Sequence, residues 1–192
     1  MTKNRLEAFS DGVLAIIITI MVLEIKVPHD ASWTALEPLM PVLVSYILSF
    51  VFVGIYWGNH HHLLHTVKHV SPGIIWSNNG LLFALSLIPF ATGWMGENHF
   101  ATNTVVVYAA LLLLCGITFT WLKWAIEKTN SFSPEMTRAM KKLDLKGLVS
   151  VLSYGAAIPL AYVNTAISGA LFVLVAVLWL IPDRNIERAL KD

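Results

Sequence analysis

A chain whose charges are confined to short bands between long uncharged stretches has few ways to fold, and from Lys146 to Asp183 this one encloses no Asp, Glu, Lys or Arg at all. A helix crossing a hydrocarbon layer of about 30 Å needs roughly 20 apolar residues, because each rises about 1.5 Å and lipid offers the backbone no hydrogen-bond partners. Six stretches meet that length: 9–27, 38–57, 74–94, 104–124, 147–163 and 165–181. They are expected as helices over about 6–27, 38–66, 74–95, 104–126, 146–163 and 165–182, the last two forming a tight hairpin through Tyr162-Val163-Asn164-Thr165. Composition agrees, with 56% apolar and 13% charged residues where soluble domains carry about 45–50% and 25%. The expected fold class is an all-α integral membrane protein with six transmembrane helices in one domain, residues 1–192.

Lys and Arg gather on the cytoplasmic side of membrane proteins. Here Lys3, Arg5, Lys68, Lys123, Lys128, Arg138, Lys141, Lys142, Lys146, Arg184, Arg188 and Lys191 fall on alternate connections or the termini, and only Lys26 falls opposite. A multi-pass protein of the cell membrane with both termini cytoplasmic follows. The first span ends in Leu23-Glu24-Ile25-Lys26-Val27-Pro28, not in a small-residue cleavage site, so it is expected to stay in the mature chain. A net charge of +1 without a basic block excludes nucleic acid as a partner. Cys115 has no partner for a disulfide or zinc site and is expected to face lipid or fill packing. In the longest cytoplasmic connection, Ser133-Pro134-Glu135 reads as the capped start of a solvated helix lying at the interface.

The first helix is a poor lipid-facing span. Only twelve residues separate Asp11 from Glu24, a rise of about 18 Å against about 30 Å of hydrocarbon. Charged residues at membrane depth normally face protein or water. On a 100° wheel Gly12, Ile16, Thr19, Ile20 and Leu23 share one face. That stripe either packs against neighbouring helices, with Thr19 bonding back to the Ala15 carbonyl, or forms a pore wall, since hydrophobic constrictions gate channels by dewetting.

Helix one leaves the cytoplasm and helix two returns to it, which sets Ser10 and Asp11 near the level of Trp57, His60 and His61; helix three starts there with Asn78 and Asn79. A hydroxyl, a carboxylate, an indole N–H, imidazoles and amides at one layer can satisfy one another, forming a clamp on helix one. The run His60-His61-His62 with His65 and His69 repeats at i+4 through His61, His65 and His69. Three roles are open to it: interfacial hydrogen bonding, pH sensing, or a metal site without the support of HExxH or a cysteine ligand.

These residues carry a resemblance. Arg5-Leu6-Glu7-Ala8-Phe9-Ser10-Asp11 matches the RxxxFSD motif that opens the first helix of the transmembrane protein 175 family of potassium channels, and Trp57-Gly58-Asn59-His60-His61 resembles that family's helix-two pattern. The resemblance covers essentially the whole chain, at the length of single-repeat prokaryotic members. It implies a potassium-permeable channel without a TVGYG filter, a homotetramer in membrane lipid whose four first helices line a central pore. It makes Ile16 the narrow hydrophobic ring and gate, Thr19 a hydroxyl layer affecting potassium over sodium preference, and Ile20 or Leu23 further rings, with Gly12 on the same face. Arg5, Phe9, Ser10, Asp11, Trp57 and His60 or His61 become the network behind the pore, with Asn78 and Asn79 on helix three. No cofactor or metal is implied beyond the transported potassium ion.

Two other classes compete. A small secondary transporter would use ionisable residues or broken helices at mid-membrane; helices two to six carry no central charge, although Pro89 and Pro159 could interrupt helices three and five. An intramembrane enzyme would need a nucleophile with its base or a closed ligand set, and Ser, His and Asp converge only at the clamp, so the chain is expected not to be an enzyme. A purely structural membrane protein fits the sequence too.

Overall fold

The computed structural model describes residues 1–180, and these fold as seven α-helices: α1 Lys3–Met21, α2 Met40–His65, α3 Pro72–Ser86, α4 Ile88–Glu97, α5 Thr102–Thr129, α6 Pro134–Ala161 and α7 Thr165–Leu180. No strand occurs among the described residues. Five of the helical segments are long and apolar enough to cross a membrane; α7 is apolar but shorter. The chain is a multi-pass membrane protein. Residues 181 and 182 of the sixth expected span, and Arg184, Arg188 and Lys191, lie outside the described residues.

Helix boundaries depart from the expected ones where local chemistry intervenes. The α1 helix stops at Met21 and tightens into a 3-10 turn, Val22–Glu24, so 25–27 are not helical. A 3-10 segment, Trp33–Leu39, precedes α2. The third span is two helices, broken at Leu87: Pro89 lacks the N–H that would bond back one turn and crowds the preceding turn, so the helix restarts. Pro159, in contrast, lies inside α6 without ending it.

The expected interfacial helix after Ser133 and the expected span 146–163 are one element. Ser133 Oγ accepts from Met136 N at 3.2 Å and Pro134 takes the first helical position, as the sequence suggests. Yet Met136, Ala139, Met140 and Leu143 are buried, so the segment continues the span as a rod instead of lying on the surface. The helix runs on through residue 146 because nothing there removes a backbone donor, and Ser150 and Tyr154 take up its buried side after Leu143.

The core draws on every helix, with α5 packed against α3 and α6, and α6 against α7. Tyr108 meets Phe172 edge-on with ring centroids 5.3 Å apart, and Phe52 meets Tyr154 at 6.2 Å. Cys115 is packing, fully buried in this core. Polar groups inside the span are satisfied in pairs, as a dry interior demands. Thr92 donates to Ser49 Oγ at 2.7 Å, Ser49 shares a 2.9 Å hydrogen bond with Tyr108, and Ser168 donates to the Ala157 carbonyl across the α6–α7 hairpin at 2.7 Å.

Candidate functional site

The α1 helix divides into two faces. Leu6, Ser10, Leu14, Ile17 and Met21 are buried against the rest of the chain, repeating at the three- and four-residue spacing of a packed face. The opposite face holds Gly12, Ile16, Thr19, Ile20 and Leu23, all exposed, with Ile16 at 58% and Leu23 at 76%. Thr19 bonds back to the Ala15 carbonyl at 2.9 Å, which hides its donor and leaves its oxygen lone pairs facing outward. Among the described residues the stripe is the exposed face of α1, with Ile16 and Ile20 bordering an open groove toward α4. It ends at two carboxylates, Asp11 and Glu24, too close together for that face to meet lipid.

Behind the stripe a directional relay fixes α1. His60 Nε2 donates to Asn78 Oδ1 at 2.6 Å, Asn78 Nδ2 donates to Ser10 Oγ at 3.0 Å, and the Ser10 hydroxyl donates to the Leu6 carbonyl at 2.8 Å. His60, Asn78 and Ser10 are all buried. With Asn78 offering its oxygen, His60 must carry its proton on Nε2. Nearer the surface, Trp57 Nε1 donates to Asp11 Oδ1 at 3.0 Å. Three helices, α1, α2 and α3, are thus tied at one layer.

The other expected members of that layer sit differently. His61 is exposed and takes no part in the relay; its ring lies between Trp57, 6.3 Å away, and His65, stacked at 5.8 Å. Asn79, Arg5 and Phe9 make no side-chain hydrogen bond among the described residues; Asn79 is half-buried, and Arg5 and Phe9 are exposed beside the N-terminal end of the stripe. His69 is off the helix, and its backbone N–H donates to Asn130 Oδ1 at 3.0 Å, so only His61 and His65 share a helical face. Among the described residues no group of three or more His, Cys, Asp and Glu side chains is placed to hold a metal ion.

Two polar clusters escaped the sequence reading. Lys123, with its side chain 5% exposed, lies 2.7 Å from both Glu127 and Asp144, joining α5 to α6. At the far end of α1, Lys26 is paired with Glu97 at the end of α4. The Glu97 hydrogen bond and charge hold the Lys26 ammonium above its usual range. The first cluster has a sequence signal, the i,i+4 spacing of Lys123 and Glu127; the second joins residues 71 positions apart and has none.

A bundle of membrane-spanning helices that locks one face of its first helix and leaves an aliphatic face exposed between two carboxylates has the build of an oligomeric membrane channel subunit. The comparisons agree. The family model described as endosomal/lysosomal potassium channel TMEM175 matches residues 5–89. A potassium channel of Chryseobacterium sp. (strain P1-3) is 48% identical over the full length of both chains, and one of Streptomyces collinus is 29% identical over 91% of this chain and 89% of that one. The crystal structure of a lysosomal potassium-selective channel TMEM175 homolog from Chamaesiphon minutus superposes with a TM-score of 0.78 at 26% identity, covering 93% of this chain and 96% of that one. This chain belongs to the TMEM175 family.

Proposed function

We infer that the chain is a potassium-permeable channel, conducting passively and catalysing no reaction, and we propose that it works as a homotetramer with four α1 helices around a central pore. The stripe on α1 carries the reading: Gly12, Ile16, Thr19, Ile20 and Leu23 all stay exposed among the described residues. Copies of the same helix facing one another across an axis would cover it with protein and water. The relay through Ser10, Asn78 and His60 supports this by fixing the rotation of α1 about its own axis. Lys26 sits at the opposite end of α1 from the cationic N-terminal segment, which supports cytoplasmic termini.

The selectivity of such a pore follows from what lines it. Ile16 offers no replacement ligands for lost water, so an ion passes more easily the more weakly it holds its hydration shell. Potassium then passes ahead of sodium with modest discrimination, Thr19 adding a ring of hydroxyl oxygens. The closed state is a dry collar of Ile16 side chains, and opening widens it until a partly hydrated ion fits. The break in the third span at Leu87 keeps a secondary transporter in view, because transporters use discontinuous helices.

The deciding experiment reconstitutes the protein in liposomes carrying a potassium gradient, with sodium and proton-gradient controls. Non-saturating potassium flux without proton coupling is expected, and Ile16→Asn raises the resting leak by wetting the collar. Saturable, proton-driven flux, or an Ile16→Asn current identical to wild type, overturns the reading.

A further inference from the structure

Beyond the aliphatic stripe, α1 ends on a carboxylate that the hydrophobic-pore reading leaves without a task. Glu24 is exposed, and among the described residues it has no hydrogen bond or ion pair. Glu97, the neighbouring carboxylate, is neutralised by Lys26. One ammonium, Lys26, thus serves two carboxylates, pairing with Glu97 and feeling the charge of Glu24 as well, so this end of the helix keeps a net negative charge.

Its placement is specific. The side chain lies flat on α4 at Gly93, where a Cβ built on the glycine would come within 3.0 Å of Glu24 Oε2. Gly93 is the residue whose missing side chain makes room for it. Ile16, Ile20, Glu24, Gly93, Trp94 and Glu97 line one open groove between α1 and α4. The same apolar surface that carries Ile16 and Ile20 thus runs into Glu24, four residues and about one helical turn beyond Ile20.

We propose that Glu24 is the residue that concentrates cations at the outer mouth of the conduction path, supplying the electrostatic attraction that the Ile16 collar cannot. This rests on the reading of α1 as the pore wall. Apolar walls focus the field of a single-signed charge, and the local concentration of the opposite ion rises with it. Division of labour follows: Glu24 sets how often a cation arrives, while Ile16 and Thr19 set which cation crosses.

The test uses the full chain in neutral phosphatidylcholine bilayers, with single-channel conductance read across a range of KCl. The Debye length is about 30 Å at 0.01 M salt and about 3 Å at 1 M. Glu24→Gln is expected to lose about threefold of the conductance at the lowest salt and to match wild type at the highest. Glu37→Gln removes an exposed carboxylate of the segment before α2, outside the groove, and is expected to change nothing. In Glu24→Cys, a sulfonate-bearing thiosulfonate reagent restores conductance and a trimethylammonium-bearing one lowers it further; buried Cys115 does not compete.

Equal conductance of Glu24→Gln and wild type at every salt concentration overturns the proposal, as do equal effects of the two reagents or an equal loss in Glu37→Gln. If Ile16→Asn changes the current while Glu24→Gln does not, only the charge assignment fails. If neither changes it, the pore reading fails and takes this inference with it.

Discussion

Asn78 stands between His60 and Ser10, its Oδ1 accepting from the imidazole N–H at 2.6 Å and its Nδ2 donating to the hydroxyl at 3.0 Å. An amide is suited to this because it presents an acceptor and a donor on opposite corners of one plane. Its removal would leave the buried His60 N–H unpaired and take away the bond that Ser10 Oγ accepts, while Ser10 keeps its own bond to the Leu6 carbonyl. Asn78→Ala is therefore expected to destabilise the protein by about 1–3 kcal/mol, the cost of one buried donor left without a partner. The measurement is thermal unfolding in detergent micelles. Asn78→Asp should not fully rescue it, since a carboxylate has no hydrogen to give Ser10; a melting temperature unchanged in Asn78→Ala would deny the relay its structural role.

Close approach of α2 and α4 rests on Gly96. A Cβ there would meet Ser45 Oγ at 2.5 Å and the Val42 Cα at 2.7 Å, and the second of these is backbone that cannot rotate away. Gly96→Ala is expected to cost about 1–3 kcal/mol through overpacking. Gly58, also on a helix but with nothing within 4 Å of its built Cβ, supplies the comparison: Gly58→Ala should gain up to about 1 kcal/mol from helix propensity. A loss in both, or in neither, would show that the α2–α4 contact is looser than the geometry requires.

What the sequence disclosed follows from which forces are local. The spans were legible because hydrocarbon thickness fixes a length and excludes charge, and the cap at Ser133 because Ser followed by Pro is a local arrangement. The relay was legible in part: depth alone placed Ser10, Asn78 and His60 at one level, but depth could not tell His60 from His61. One step along a helix turns a side chain by about 100°, which puts His60 in the core and His61 on the surface. The merging of 134–146 with the fifth span escaped because its apolar stripe is diluted by Arg138, Lys141 and Lys142, which read as an interfacial face until the buried side is known. Lys26 and Glu97 met only through the tertiary fold.

Asp30 supplies a pH dependence outside the spans. Its Oδ1 accepts from the Ser32 amide at 3.2 Å and its Oδ2 from the Ser32 hydroxyl at 2.6 Å. These bonds favour the charged form and hold the carboxyl below its usual range. Because the folded value is depressed, the contribution is present above the unfolded pKa of 3.8 and is lost as pH falls through the folded value. Protection of the Ser32 amide from hydrogen exchange should therefore persist through mildly acidic pH and collapse only below the ordinary carboxylate range. In Asp30→Asn that acid step should vanish; its survival would assign the transition to another group.

Lys123 carries the sharpest stability forecast. Its ammonium is buried with carboxylates 2.7 Å away on both sides, whereas Glu127 and Asp144 keep side-chain exposures of 35% and 52%. Replacing the lysine by methionine preserves the packing of its stem but leaves two like charges facing each other beside a low-dielectric core. Full burial would make such a loss about 3–5 kcal/mol; with both carboxylates partly in water, about 1–3 kcal/mol is expected. Adding Asp144→Asn and Glu127→Gln to Lys123→Met removes the repulsion and should recover most of that loss. Unfolding midpoints of the single and triple variants, compared at low and high salt, check this: the single variant should gain from added salt, which screens the exposed carboxylates. A triple variant as unstable as the single would mean that the lysine stabilises α5 against α6 through its hydrocarbon stem and not through its charge.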